Sequence, residues 1–210
     1  MQSIDAIYYI NLDHRTDRNE QFLQEIEKIN FPINKVTRIS GVYNKELGAL
    51  GCSLSHIKVL KTFLNSSYSN CIIFEDDFTF TTESDFVNDT INKILTSNLG
   101  YDIIMLSANC IYSVATPESP LVYKVYNAST ASGYMVTKEF AKILLNNIEE
   151  SALLLEDHYN KTNERHHEYC LDQYFKKLQP ISNWYVCNPK LGKQRQGYSD
   201  NEYMIVDYNC

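Results

Sequence analysis

Residues 71–80 read Cys71-Ile72-Ile73-Phe74-Glu75-Asp76-Asp77-Phe78-Thr79-Phe80. An apolar, β-favouring run ends abruptly in three consecutive carboxylates, and aromatic residues alternate again after them. Ile72, Ile73 and Phe74 carry no intervening charge, which suits a strand covered on both faces of a sheet. Three adjacent acids repel one another unless a cation sits among them. A hard divalent ion is one such partner, because Mg²⁺ or Mn²⁺ takes carboxylate oxygens and keeps positions open for substrate phosphates. On an extended backbone Glu75 and Asp77 share a side, so both are expected to point at one ion while Asp76 faces away. The alternative is a solvated acidic loop that merely ends the strand.

Upstream, residues 6–12 (AIYYINL) form a β-like run followed by the polar stretch 13–18. Phe22, Leu23, Ile26 and Ile29 then recur at helical spacing, which predicts an amphipathic helix over 18–30, ended by Pro32. Residues 35–39 predict a short second strand. The stretch 48–56 (GALGCSLSH) is the second informative one. Gly51 permits a tight backbone, and Ser53 is a good N-cap for a helix carrying Leu54, Ile57, Leu60 and Leu64 on one face. A glycine turn feeding a helix N-terminus presents N–H groups and a positive dipole end to phosphate. A capped helix with no ligand is the alternative. His56, off the apolar stripe, reads as evenly balanced between a role at the site and a histidine that is merely exposed or hydrogen-bonded.

Downstream, Thr82 with Asp85 predicts a capping box before a helix carrying Val87, Ile91, Ile94 and Leu95. Residues 101–106 (YDIIML) predict a buried strand, 107–120 a loop with two prolines, and 122–126 a strand near an edge. Residues 131–136 predict a small-residue strand, and Thr137 an N-cap for a helix with Phe140, Ile143, Leu144 and Ile148. The charged stretch 156–168 (EDHYNKTNERHHE) lacks apolar spacing and predicts a loop or lid, mobile without ligand. His158, His166 and His167 within it read as solvated rather than as a metal cluster. Leu171, Tyr174, Phe175 and Leu178 predict a helix ended by Pro180. A strand at 184–187 and a polar segment at 189–200 complete the pattern. With no internal repeat or low-complexity linker, residues 1–210 read as one domain.

The 210 residues are 44% hydrophobic and 21% charged, which is globular composition with room for a substantial core. A net charge of -7 argues against a nucleic-acid surface. No run of 18 apolar residues suggests a transmembrane segment, and residues 1–5 lack the pattern of a signal peptide. The 6 cysteines are scattered without a C-x-x-C pair, so reduced thiols and a cytoplasmic location are expected. The pattern leaves the oligomeric state open.

With INLDHRTDR (10–18), GALGCSLSH (48–56) and FEDDF (74–78) in this order, the sequence resembles glycosyltransferase family 25. Later segments match too: DIIML (102–106), ASGYMVT (131–137), LDQYF (171–175) and PKLGKQRQGYSD (189–200). The resemblance implies a GT-A-like α/β nucleotide-binding sandwich, with a mixed, mostly parallel sheet flanked by helices. It implies a D-x-D-type motif, here Glu75-Asp76-Asp77, that holds Mn²⁺ (or Mg²⁺) on a sugar nucleotide. It further implies inverting transfer, frequently of galactose from UDP-galactose, to a glycan or protein acceptor.

On that footing Asp77 is the expected direct metal ligand. Glu75 stands beside it on the metal or, like Asp76, contacts the ribose or a metal-bound water. Asn11, Arg15 and Arg18 follow the first strand, where a nucleotide enters an open α/β sheet, and are expected on uracil, ribose or diphosphate. Helix-start ion pairs with Asp13 or Asp17 are the alternative for the two arginines. Ser53, Ser55 and His56 would sit beside the phosphates or donor sugar. Inversion needs a base for the acceptor hydroxyl. Asp172 is the candidate, Asp200 the next, and an i,i+4 pair with Lys176 the alternative use of Asp172. Gln194 and Ser199, in a C-terminal segment spanning 189–210, would close over the donor, with Lys193 and Arg195 screening the diphosphate. A catalytically degenerate sugar- or partner-binding module is the competing function.

Overall fold

The computed structural model describes residues 4–199 and 204–207. Its strands are β1 (Ala6–Asn11), β2 (Val36–Ser40), β3 (Asn70–Glu75), β4 (Phe78–Phe80), β5 (Ile103–Met105), β6 (Asn109–Thr116), β7 (Ser119–Ser129), β8 (Gly133–Thr137), β9 (Trp184–Cys187), β10 (Gly192–Gln194), β11 (Gly197–Ser199) and β12 (Met204–Val206). Its α-helices are α1 (Thr16–Lys28), α2 (Gly48–Leu64), α3 (Ser84–Thr96), α4 (Lys138–Thr162) and α5 (Leu171–Tyr174).

Side chains alternate across a strand, so an unbroken apolar run must find cover on two faces. In β1, Ala6, Tyr8 and Ile10 join one core, with Cys71 and Ile73 of β3, beneath α2 and α4. Ile7 and Tyr9 join the other, with Ile72 and Phe74, beneath α1 and α3. The sheet between these layers has the order β2-β1-β3-β8-β5-β9-β7-β6. β8 and β7 run against the other six strands, so the sheet is mixed yet mostly parallel in direction. The first two βα units therefore deliver the ends of β1 and β3 to one edge. Among the described residues no helix is long and apolar enough to cross a membrane.

Three local expectations are corrected. The stretch 107–120 is no loop, because β6 and the start of β7 form a hairpin there. Pro117 falls between the two strands and Pro120 at the start of β7, where a missing N–H is tolerated. The stretch 156–168 is helical up to Thr162, where α4 ends on Asn163 in the left-handed conformation (φ 60). Its outer turns are solvated and closed by a Lys161–Asp157 pair, so apolar spacing was absent although the helix was present. Ser53 does not cap α2, which starts five residues earlier at Gly48; its hydroxyl donates back to the Ala49 carbonyl. Gly51 is needed inside the helix because a Cβ there would stand 2.5 Å from the Val42 carbonyl oxygen.

Phe78, fully buried, is the wedge beneath the acid turn. Its ring lies 4.7 Å from that of Phe74 and 5.0 Å from that of Phe80. Glycines supply the space on either side of it. A Cβ at Gly133 would come within 2.6 Å of the Phe78 ring, and one at Gly192 within 2.3 Å. Gly192→Ala is therefore expected to lower the unfolding free energy by about 1–3 kcal/mol through overpacking, measured as a lower urea midpoint. Combining it with Phe78→Leu should recover part of that loss, a coupling that two independent sites would not give.

Candidate functional site

β3 ends at Glu75, and Asp76 with Asp77 forms the turn into β4. The extended backbone thus stops one residue too early for Glu75 and Asp77 to share a side, and that expectation is corrected. Instead Asp76 and Asp77 converge on one guanidinium. Arg18 Nη1, from α1, lies 3.0 Å from Asp76 Oδ1 and 3.2 Å from Asp77 Oδ2. Asn11 Nδ2 donates to the second Asp76 oxygen at 2.7 Å and to the Arg15 carbonyl, while its own Oδ1 accepts from Arg38 Nε. The Asn11 amide thus holds the turn, in a residue 1% exposed. From the far end of the chain, β10 pairs with β4, Gln194 Nε2 donates to Asp77 Oδ2 at 3.0 Å, and the Arg195 amide donates to the Asp77 carbonyl.

Burial and the neighbouring charge of Glu75 push the Asp77 carboxyl up to about 7, against the pull of Arg18 and Gln194. Burial also raises Asp76, although Arg18 and Asn11 oppose it. Asp77 Oδ1 is buried with no hydrogen-bond partner in the described structure. An acid oxygen with nothing to donate to it is a place for a cation or a proton.

Glu75 turns the other way, toward α2. Its Oε1 lies 3.1 Å from His56 Nε2 and 3.4 Å from Cys52 Sγ. Burial alone would raise this carboxyl, yet the hydrogen bond and charge of His56, with Cys52 and Arg18, hold it below the usual range. His56 Nδ1 meets the Tyr134 hydroxyl at 3.0 Å.

These groups stand on the wall of a cavity of about 520 Å³. Of the expected site residues, Arg15, Arg18, Ser55, Glu75, Asp76, Asp77, Asp172 and Gln194 line it. Ser53 and His56 are fully buried and are not among the residues lining it. Arg15 pairs with Asp17, the helix-start alternative, whereas Arg18 takes the acid turn instead. Arg195 turns to Gln21 and Glu25 on α1, away from the cavity, and Lys193 is exposed. Asp200 lies outside the described residues, and Ser199 is described only as backbone in β11.

On the opposite flank α5 presents Asp172. Its Oδ2 accepts the Thr130 amide at 3.0 Å and the Gln173 side chain at 3.3 Å, so Lys176 bonds Gln173 rather than closing an i,i+4 pair. Thr130 makes that contact from a left-handed backbone, φ 81, a conformation that a β-branched residue rarely adopts. Sequence reasoning missed Tyr43, Cys52, Thr130 and Arg165 on this wall. Only Cys52 had a readable signal, four residues before His56 on one helix.

The profile described as "Glycosyltransferase family 25 (LPS biosynthesis protein)" matches residues 42–159. Procollagen galactosyltransferase 1-A of Xenopus laevis is 28% identical over 177 residues, covering 69% of this chain. The chain spans only 28% of that relative's length. A crystal structure of a glycosyltransferase involved in the glycosylation of the major capsid of PBCV-1 superposes with a TM-score of 0.54 at 12% identity. That superposition covers 94% of this chain and 95% of the other, a likeness of fold alone.

The folded chain keeps the Asp77 proton to about pH 7, while the unfolded chain releases it near 3.8. The folded state thus binds more protons through that window, and this residue's contribution to stability falls as pH rises from about 4 to 7. In urea unfolding of metal-free protein, the stability of wild type relative to Asp77→Asn is expected to fall across the window by more than about 1.4 kcal/mol, the equivalent of one pKa unit. Parallel curves for the two proteins would contradict a protonated Asp77.

Proposed function

The chain belongs to glycosyltransferase family 25. On that premise we propose an inverting, metal-dependent enzyme that moves a hexose, galactose or glucose, from a UDP-sugar to a hydroxyl of a glycan or protein acceptor. The observation that carries this reading is the acid turn at the end of β3, on the cavity wall, with Asp77 Oδ1 buried and lacking a hydrogen-bond partner. The activity named for the Xenopus relative supports galactose. The five described cysteines are all free thiols, which supports a cytoplasmic setting.

Mn²⁺ or Mg²⁺ fits that oxygen, since both ions take hard carboxylate donors, and Asp77 would be the protein ligand. When bound, such an ion supplies Lewis-acid stabilisation of the diphosphate leaving group. The rest falls to the chain's own side chains. Arg15 and Arg18 receive the diphosphate through planar guanidinium groups, and the amides at the start of α2, where Gly48 and Ala49 line the cavity, add N–H donors. Tyr43, half exposed at the wall, offers a ring face for uracil. Gln194, which lines the cavity, closes over the donor. Asp172 is the base. With Oδ2 fixed by the Thr130 amide and Gln173, its carboxylate is held ready to take the acceptor's hydroxyl proton. Asp200 is the second candidate for that role.

UDP with Mn²⁺ is expected to raise the melting temperature more than UDP or Mn²⁺ alone. Asp77→Ala should abolish both that metal-dependent gain and turnover of UDP-sugars; retained turnover would overturn the metal assignment. Asp172→Asn is expected to lower kcat about 10²–10⁴-fold while leaving UDP affinity unchanged. An intact fold that binds UDP yet transfers or hydrolyses no sugar nucleotide would make the chain a binding module instead.

A further inference from the structure

Cys52 and His56 lie one helical turn apart on α2, so their side chains leave the same face of the helix. That face meets the end of β3 at Glu75. Cys52 Sγ and His56 Nε2 approach the same oxygen, Glu75 Oε1, at 3.4 and 3.1 Å. All three donor atoms lie within 4.8 Å of one another. Around a tetrahedral Zn²⁺, with bonds of about 2.3 Å to sulfur and about 2.0–2.2 Å to nitrogen and oxygen, neighbouring donors stand about 3.4–3.6 Å apart. The two contacts to Glu75 match that spacing to within a few tenths of an ångström.

Two further features fit a metal centre. A ligating imidazole is normally oriented through its other nitrogen. Here His56 Nδ1 meets the Tyr134 hydroxyl at 3.0 Å, both residues being buried. Cys52 and Glu75 line the cavity, while His56 is fully buried behind them. Three donors therefore form a back wall, and the fourth position of a tetrahedron faces the cavity, the arrangement of an open rather than a closed site. A sulfur and an imidazole nitrogen select a borderline ion over Mg²⁺, which separates this cluster from the carboxylate oxygen of Asp77.

We propose that Cys52, His56 and Glu75 form a binding site for a borderline divalent transition-metal ion, Zn²⁺ being the best match, with Tyr134 orienting His56. Binding breaks the Cys52 S–H bond, sends that proton to solvent and leaves a thiolate on the ion. An anionic or hydroxyl oxygen of a molecule in the cavity completes the coordination. The site does not depend on the transferase reading, and its test needs no turnover.

Co²⁺ titrated into the reduced full-length chain should produce a thiolate-to-metal charge-transfer band together with the visible bands of a tetrahedral ion, and Zn²⁺ should displace it. Cys52→Ala should remove the band. Cys110→Ala and Cys170→Ala should keep it, and Tyr134→Phe should weaken Co²⁺ binding by about tenfold. Circular dichroism of each variant separates loss of the site from loss of the fold. Absence of the band in the wild type would overturn the proposal, as would its persistence at unchanged affinity in Cys52→Ala.

Discussion

The guanidinium of Arg18 lies between two carboxylates, those of Asp76 and Asp77, and pairs with both. The acids arise because a strand buried on both faces ends in three consecutive carboxylates, at the edge of the sheet where α1 also begins. In a largely desolvated setting each negative charge opposes the next, and a single fixed cation decides how many can ionise. Arg18 answers for Asp76 and in part for Asp77; His56 answers for Glu75. Asn11, Arg38 and Gln194 are arranged around that division of charge. Removing the guanidinium would strand buried carboxylates rather than delete one surface pair, a costlier loss in general.

The contacts that build the turn come from distant parts of the chain. Arg18 and Asn11 lie 58 and 65 residues from Asp76, and Gln194 lies 117 residues from Asp77. The Phe78 ring joins the fold to this site. It fills the core directly under the acids, and glycines on β8 and β10 leave space for it. A change in packing below therefore moves charge above.

Much of this was legible in the residues. The apolar run of β3, its two-sided burial, the helix signals of α1 and α4 and the importance of 48–56 all follow from periodicity and composition. What was not legible depended on tertiary geometry. Extended backbone ends at Glu75 rather than continuing through Asp77, and no local signal marks that stop. Asn11 reads as a polar residue at a strand end, and only the arrival of Asp76 and Arg38 shows its amide to be consumed. The hairpin of β6 and β7 was hidden because its exposed edge strand is polar and its prolines sit at strand ends. His56 read as an exposed or a hydrogen-bonded histidine, and nothing in α2 alone reveals that Tyr134 and Glu75 are its partners.

The pairing of β10 with β4 has a consequence for how the molecule comes into being. A ribosome delivers the acid turn early and releases Gly192–Gln194 only after more than a hundred further residues. Until then Phe78 has an open flank and Asp77 lacks its amide partner. A nascent chain thus carries the acid turn in an unlatched state until the Gly192–Gln194 stretch has followed it out of the ribosome. Vectorial synthesis keeps the charged pocket from being assembled ahead of the scaffold that disciplines it.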